Sequence, residues 1–315
     1  MNTDFLFTEK YRPQSISDCV LPSSIKKTFS EFVTQKEIPN LILSGSQGSG
    51  KTSSIIAMCN DIGADYYIIN GSDEGRFIDT VRTQVRNFAS TMSLTSDAKH
   101  KVIIIDEMDN TTHDVQLALR GNIEAYQNNC RFVFTCNYIN KIISPIHSRC
   151  SVIDFTVPTT EKPKLAMKFF ERLKIILDKE NIRYDEKVLI ELVNKYFFDW
   201  RRLLNEVQRY SVGGIIDSGI LCQISNSNIK ELIDFLKKKE YSNVQKWIVA
   251  NLDKDSNSIM RQFYDESKKF LVPQSIPEMV MILAKYMYQS SFCADQEINL
   301  LACFTEIMMS CEFAK

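Results

Sequence analysis

Gly45-Ser46-Gln47-Gly48-Ser49-Gly50-Lys51-Thr52 follows the apolar run Leu41-Ile42-Leu43 and precedes a helical pattern from Ser53 to Cys59. The octet satisfies the spacing Gly-x-x-x-x-Gly-Lys-Ser/Thr, and a strand before it with a helix after it is the context in which that spacing forms a phosphate-binding loop. Glycines let the backbone curl into a nest of inward N–H groups suited to a β-phosphate. In such a loop Lys51 reaches the β and γ oxygens and the Thr52 hydroxyl holds Mg²⁺. Residues Gly45, Ser46, Gln47, Gly48, Ser49, Gly50, Lys51, Thr52 and Ser53 are therefore the expected phosphate contacts, and the chain is expected to bind ATP or GTP.

Further along, Lys101-Val102-Ile103-Ile104-Ile105-Asp106-Glu107 is a β-branched run ending in two carboxylates. A continuous apolar run of this length fits a parallel strand buried on both faces, and ligands gather at the carboxyl ends of such strands. Asp106 is then placed to hold the Mg²⁺ water shell, and Glu107 to orient and deprotonate an attacking water. A strand followed by a merely acidic turn would read the same in isolation; the upstream loop favours hydrolysis. A kinase passing phosphate to a small acceptor has no need of a water-activating Glu107.

With 315 residues, 44% hydrophobic and 24% charged, the chain has room for two or three domains with real cores. A formal net charge of −1 leaves any nucleic-acid contact to local patches, which argues against a free-standing DNA binder. The 9 cysteines include no Cys-x-x-Cys pair and mostly sit in apolar surroundings, so they read as reduced, packing thiols. Asp4 and Glu9 interrupt the start, so no signal peptide is expected, and no apolar run approaches the ~18 to 20 residues of a membrane span. The expected location is cytoplasmic.

Apolar runs at 41–44, 67–70, 102–105, 132–135 and 152–155 alternate with helical stretches, which predicts an α/β fold with a parallel five-stranded sheet over residues 1–157. After Pro158 the β runs stop. Segments 162–180, 185–196 and 199–212 carry apolar residues at helical spacing and predict a small helical domain over 158–224. Gly213-Gly214 and Ser225-Asn226-Ser227-Asn228 punctuate the chain before an all-helical block, 225–315. Its last helix is apolar nearly all round, through Ile298, Leu300, Leu301, Phe304 and Ile307, as in a bundle or a subunit interface. A fused stabilising bundle is the plainer reading.

Near the start, Thr8-Glu9-Lys10-Tyr11-Arg12-Pro13 resembles the Glu-Lys-Tyr-Arg-Pro box of sliding-clamp loaders, a segment that lies over the adenine and ribose. The resemblance gives Glu9, Tyr11 and Arg12 nucleotide-binding roles. Together with the phosphate loop, Asp106-Glu107, Thr135-Cys136-Asn137 and Ser148-Arg149-Cys150, the order of motifs is similar to the clamp-loader branch of the AAA+ ATPases. Asn70-Gly71-Ser72-Asp73 is similar to the Asn-Ala-Ser-Asp signature of the replication factor C small subunits. The chain looks most like the large, ATP-hydrolysing clamp-loader subunits of T4-like bacteriophages. That likeness implies an AAA+ P-loop sheet, a helical lid domain, a C-terminal helical collar and, for a phage protein, residence in the host cytoplasm.

The resemblance also implies roles for single residues. Asn137 matches the sensor that orients the attacking water and feels the γ-phosphate, although an Asn closing a strand is also an ordinary turn residue. Arg149 matches an arginine that points into the neighbouring subunit's site. Such an arginine contributes roughly 10³ to 10⁵ in rate, against ~0 to 1 kcal/mol for a surface ion pair, so a lone subunit is expected to be a poor ATPase. Asp199-Trp200-Arg201-Arg202 stands where the family has Gly-Asp-Met-Arg, with Phe198 in place of the Gly. Alignment favours Arg201 over Arg202 as the lid sensor of its own γ-phosphate.

Two helices are candidates for DNA. In one, Val81, Val85 and Phe88 form an apolar stripe while Arg82 and Arg86 share another face, a phosphate-tracking or simply solvated arrangement. The other begins at Thr111-Thr112, good N-cap residues near free N–H groups. Thr112 is a candidate phosphate contact through that N-terminus, Gln116 and Arg120 match a family pair linking the site to the neighbour and DNA, and Gly121 departs from a second Arg of cellular loaders. The resemblance thus implies an ATPase that joins further copies of itself and a distinct subunit in a five-membered spiral, with a sliding clamp and primer-template DNA as partners. Another AAA+ machine, such as a helicase loader or branch-migration motor, and a non-hydrolysing scaffold remain the alternatives.

Overall fold

The computed structural model describes residues 5–72, 78–91, 98–217, 229–252, 256–267, 269–290 and 292–314. Asp73 and Cys222 lie outside them. The chain forms two compact units, Met1–Ser218 and Gly219–Lys315.

In the first unit, β1 (Leu41–Ser44), β2 (Tyr66–Asn70), β3 (Lys101–Asp106), β4 (Cys130–Cys136) and β5 (Ser151–Asp154) make a parallel sheet in the order β2-β3-β4-β1-β5. Leu41, Ile42, Leu43, Ile103, Ile104, Val133 and Phe134 are wholly buried. Each fully buried Val, Leu, Ile or Phe stabilises the fold by about 1.5–3 kcal/mol, so uninterrupted apolar runs settle as central strands. The edge strands are less apolar: Tyr66, Ile68 and Val152 keep exposed surface.

Helices α1 (Phe7–Lys10), α2 (Ser23–Gln35), α3 (Lys51–Ile62), α4 (Ile78–Ser90), α5 (His113–Ala125) and α6 (Ser144–His147) surround the sheet elements in sequence. α3 leaves the phosphate loop directly after Gly50 and stops at Gly63, which takes the left-handed conformation that closes a helix. α5 starts where the Thr112 hydroxyl accepts from Val115 N. Val115, Leu119 and Ile123 then pack with Ile103, Ile105 and Phe132 in one cluster. The lid helices follow: α7 (Lys162–Lys179), α8 (Glu186–Lys195) and α9 (Trp200–Ser211). Here one expectation is corrected, because β structure does not stop at Pro158. Arg183–Tyr184 and Ile215–Ile216 pair in parallel, two-residue strands too short for any periodic signal.

The second unit holds α10 (Ile229–Lys237), α11 (Tyr241–Val249), α12 (Ser256–Ser267), α13 (Ile276–Ser290) and α14 (Gln296–Ser310). Leu232, Ile233, Trp247, Phe263 and Phe304 build its core, with the Phe263 and Phe304 rings edge to face at 5.1 Å. α14 buries Leu300, Cys303, Phe304 and Ile307, yet Ile298 and Met309 are exposed, so within this unit the helix is not buried on every side. No helix among the described residues is long and apolar enough to cross a membrane.

Candidate active site

The phosphate loop is stitched to the lid. Gly48 sits at φ +70°, its carbonyl accepts from Trp200 N at 3.0 Å, and a Cβ there would lie 1.9 Å from Asp199 Oδ1. Only glycine tolerates both that backbone angle and that approach. Asp199 also caps α9, accepting from Arg202 N at 3.0 Å. The residue before it, Phe198, has φ +70°. That explains why a glycine suits this position, and here the bulky residue is held by packing: Phe198 meets Trp200 edge-on at 5.7 Å, and Trp200 stacks on Phe169 at 4.0 Å.

Gln47, Gly48, Ser49, Gly50, Lys51, Thr52 and Ser53 line one cavity with Glu9, Tyr11, Arg12, Asp106, Glu107, Asn137 and Arg201. Gly45 and Ser46 serve it through their carbonyls, which each accept from Lys51 Nζ at 2.8 Å. Nζ also donates to Asn137 Oδ1 at 3.0 Å. Burial pushes the Lys51 pKa down, while Cys136, Asp106 and Asp109 pull it back up. A multiply charged phosphate can replace these neutral acceptors with charge-assisted bonds, which are about twice as strong.

Thr52 Oγ1 donates to Asp106 Oδ1 at 2.7 Å. Thr135 donates to the same oxygen and accepts from Glu107 N at 3.0 Å, so one β4 hydroxyl ties the two acidic positions together. Glu107 takes a left-handed φ of 53°, a strained angle of the kind that collects at functional sites. Ser72 donates to Glu107 Oε2, and Asn110 Nδ2 reaches the same oxygen at 3.1 Å. Asn137 and Tyr138 both donate their backbone N–H to Asp109 Oδ2 at 3.2 Å, fixing the strand end. A hydroxyl and a carboxylate in contact are hard oxygen donors. They fit Mg²⁺, which keeps several waters and takes one or two protein oxygens beside nucleotide phosphates.

The N-terminal box folds against the lid. Lys10 Nζ donates to Glu180 Oε1 at 2.6 Å, Tyr11 donates to the same oxygen, and Arg172 Nη2 donates to Tyr11 O at 2.9 Å. Glu180 is held below the usual carboxylate range by Lys10 and then Tyr11. Arg12 pairs with Glu9 at 2.8 Å. Sequence reading missed the apolar end of this cavity, formed by Val20, Leu21, Phe169, Trp200 and Leu204. Phe169 and Leu204 looked like ordinary core positions of amphipathic helices, and Val20-Leu21 belongs to no periodic segment. Ser72 and Asn110 were also missed as partners of Glu107.

The structure separates the two lid arginines. Arg201 lines the cavity, and Arg202 lies over the Tyr196 ring at 5.2 Å. Arg149 does not line the cavity. Its Nε donates to Glu124 Oε1 at 2.9 Å and its Nη1 to Pro145 O at 2.7 Å. Arg82, Arg86, Thr112 and Arg120 are exposed. Gln116 is placed differently from a DNA contact: it is 2% exposed, donates to Lys141 O at 3.2 Å and accepts from Ile143 N at 2.9 Å. Its amide secures the loop beyond Asn137 from a buried position.

Comparison with known proteins agrees with this architecture. Residues 41–157 match the ATPase family associated with various cellular activities (AAA), and residues 161–222 match the sliding-clamp-loader large subunit, AAA+ ATPase lid domain. The sliding-clamp-loader large subunit of Enterobacteria phage T4 is 36% identical over 315 residues, covering 98% of this chain and 97% of the relative. That of Escherichia phage RB69 is 39% identical over 243 residues, or 75% of each chain. The replication factor C small subunit of Sulfurisphaera tokodaii is 31% identical over 325 residues, 98% of this chain and 96% of the relative. A point mutant of Thermotoga maritima RuvB shares the fold at a TM-score of 0.54, with 15% identity over 73% of this chain and 81% of that one. Full-length identity above 30%, a matching lid and a phosphate loop closed against that lid together establish that the chain belongs to the sliding-clamp-loader family of AAA+ ATPases.

Proposed function

We propose that this chain is the ATP-hydrolysing subunit of a loader that opens a ring-shaped sliding clamp and places it on primer-template DNA. The observation that carries this reading is the division of the catalytic set: Lys51, Thr52, Asp106, Glu107, Asn137 and Arg201 meet at one cavity, and Arg149 lies outside it. This division supports a site assembled between subunits. Lys51 and the loop N–H groups bind the β- and γ-phosphates; Thr52 and Asp106 would hold Mg²⁺, which would supply neutralisation of phosphate charge. Glu107 accepts a proton from the water that Asn137 helps to orient. Arg201 contacts the γ-phosphate from the lid, and Arg149 of the adjoining subunit stabilises the transition-state charge. Glu9, Tyr11 and Arg12 cover the nucleoside.

Under this reading the parts are a nucleotide-binding domain (1–157), a lid (158–224) and a collar (225–315). The collar joins copies of the chain and a different subunit in a five-membered spiral. Nucleotide bound by two subunits at once favours the assembled state by linkage. The exposed cations Arg82, Arg86 and Arg120, with the N-terminus of α5 at Thr112, face DNA phosphates; Gln116 acts behind them through the 141–143 loop. Turnover is therefore stimulated by clamp and DNA. Phosphate release measured against protein concentration, with and without clamp and primed DNA, tests this. Activity per subunit rises on assembly if the reading is right, and a rate that never rises favours a nucleotide-binding scaffold.

A further inference from the structure

Arg149 offers five N–H donors, and most are already directed. Nε donates to Glu124 Oε1 at 2.9 Å and Nη2 donates to the same oxygen, so the side edge of the guanidinium is occupied by Glu124. Nη1 donates to Pro145 O at 2.7 Å and to Ser148 Oγ at 3.1 Å. What remains is one N–H of Nη2 on the end edge, joined by an N–H of Nη1 when one of its two neutral acceptors, Pro145 O or Ser148 Oγ, gives way. A guanidinium edge of that kind matches two oxygens of a phosphate. Glu124 thus engages the side edge of Arg149 and keeps off the end edge, where an anion competes with neutral acceptors alone.

Glu124 lies in the last turn of α5, one helical turn beyond Arg120 and exposed like it, while the buried Gln116 lies one turn further back. Gln116 anchors that helix to the 141–143 loop. One element therefore touches the 141–143 loop that follows Asn137 and the arginine intended for the neighbour. We propose that Glu124 is a positioning residue for the trans-acting arginine, holding the Arg149 guanidinium side-on so that its end edge faces the nucleotide of the adjoining subunit. This rests on the trans reading of Arg149. A free arginine side chain samples many rotamers, and only a few present that edge outward. Both partners are partly exposed, with side-chain accessibilities of 31% and 57%. Such a pair contributes little to folding, so removing the carboxylate leaves the subunit folded.

The test is steady-state ATP hydrolysis by the assembled loader with clamp and primed DNA. Glu124→Ala is expected to lower kcat on the order of tenfold with KM for ATP unchanged. Glu124→Gln keeps an oxygen acceptor in place and should stay within about threefold of the parent. In an Arg149→Ala background, Glu124→Ala should cause no further loss. Parental or raised kcat in Glu124→Ala, or an additional loss in the double variant, overturns the proposal. Arg149→Ala run alongside separates the two ideas. If it turns over at the parental rate, the trans reading itself fails; if it is slow while Glu124→Ala is parental, only the role of Glu124 fails.

Discussion

Replacing Gly48 by alanine probes the join between phosphate loop and lid. The new Cβ would fall 1.9 Å from Asp199 Oδ1, 2.7 Å from its Cγ and 3.1 Å from its Cα, at a φ of +70°. Turning the Asp199 side chain relieves the first two contacts and leaves the third. The left-handed angle costs a Cβ-bearing residue about 1–2 kcal/mol. Displacing Asp199 forfeits its cap on α9, about 0.5–2 kcal/mol, and loosening the Trp200 N to Gly48 O bond about 0.5–1.5 kcal/mol. The sum is about 2–5 kcal/mol of loop–lid docking. If nucleotide binding carries half of it, Gly48→Ala weakens ATP binding by roughly 5- to 70-fold. Equilibrium titration with an ATP analogue and a thermal melt of the same sample read the two consequences. Adding Asp199→Ala should restore part of the affinity, because it removes the oxygen clash and not the backbone angle. Parental affinity and melting temperature in Gly48→Ala would refute this account of the join.

Phe198→Gly relieves the positive φ, worth about 1–2 kcal/mol, and removes a buried ring, a loss of about 3–5 kcal/mol. The expected outcome is a net destabilisation of about 1–4 kcal/mol by urea or thermal unfolding, and a more stable variant would show that strain outweighs packing there. His100 is 5% exposed, accepts from Ile38 N at 3.2 Å, and burial, helped by Arg131, pushes its pKa down from 6.5 to about 4. The unfolded chain therefore takes up the proton first, and the stability present above pH 6.5 is lost as pH falls through the window down to about 4. Urea midpoints of the parent should fall faster than those of His100→Gln across that window. Parallel pH profiles would contradict it.

Most of the sheet was legible because its central strands are unbroken apolar runs and its loop is a fixed spacing of glycines. The loop–lid join was not. Nothing at Gly48 announces that Asp199 sits against it, since such an approach depends on tertiary packing between distant segments. The aromatic end of the cavity escaped for a related reason: Phe169 obeys the same helical spacing as any core residue, and only the fold turns it toward the cavity. Gln116 was placed at the DNA from the likeness of its motif. Its burial shows what a motif omits, namely whether a polar side chain faces solvent or fastens a neighbouring loop. Two-residue strands such as Arg183–Tyr184 carry too few residues for any period to emerge.

The most direct test of the shared-site account is single-turnover ATP hydrolysis by a loader assembled from Arg149→Ala subunits with clamp and primed DNA. The account predicts ATP binding by the isolated Arg149→Ala subunit within about threefold of the parent subunit, because Arg149 lies outside its own cavity, and hydrolysis by the assembled loader slowed by roughly 10³ to 10⁵. Undiminished hydrolysis by that loader would contradict it.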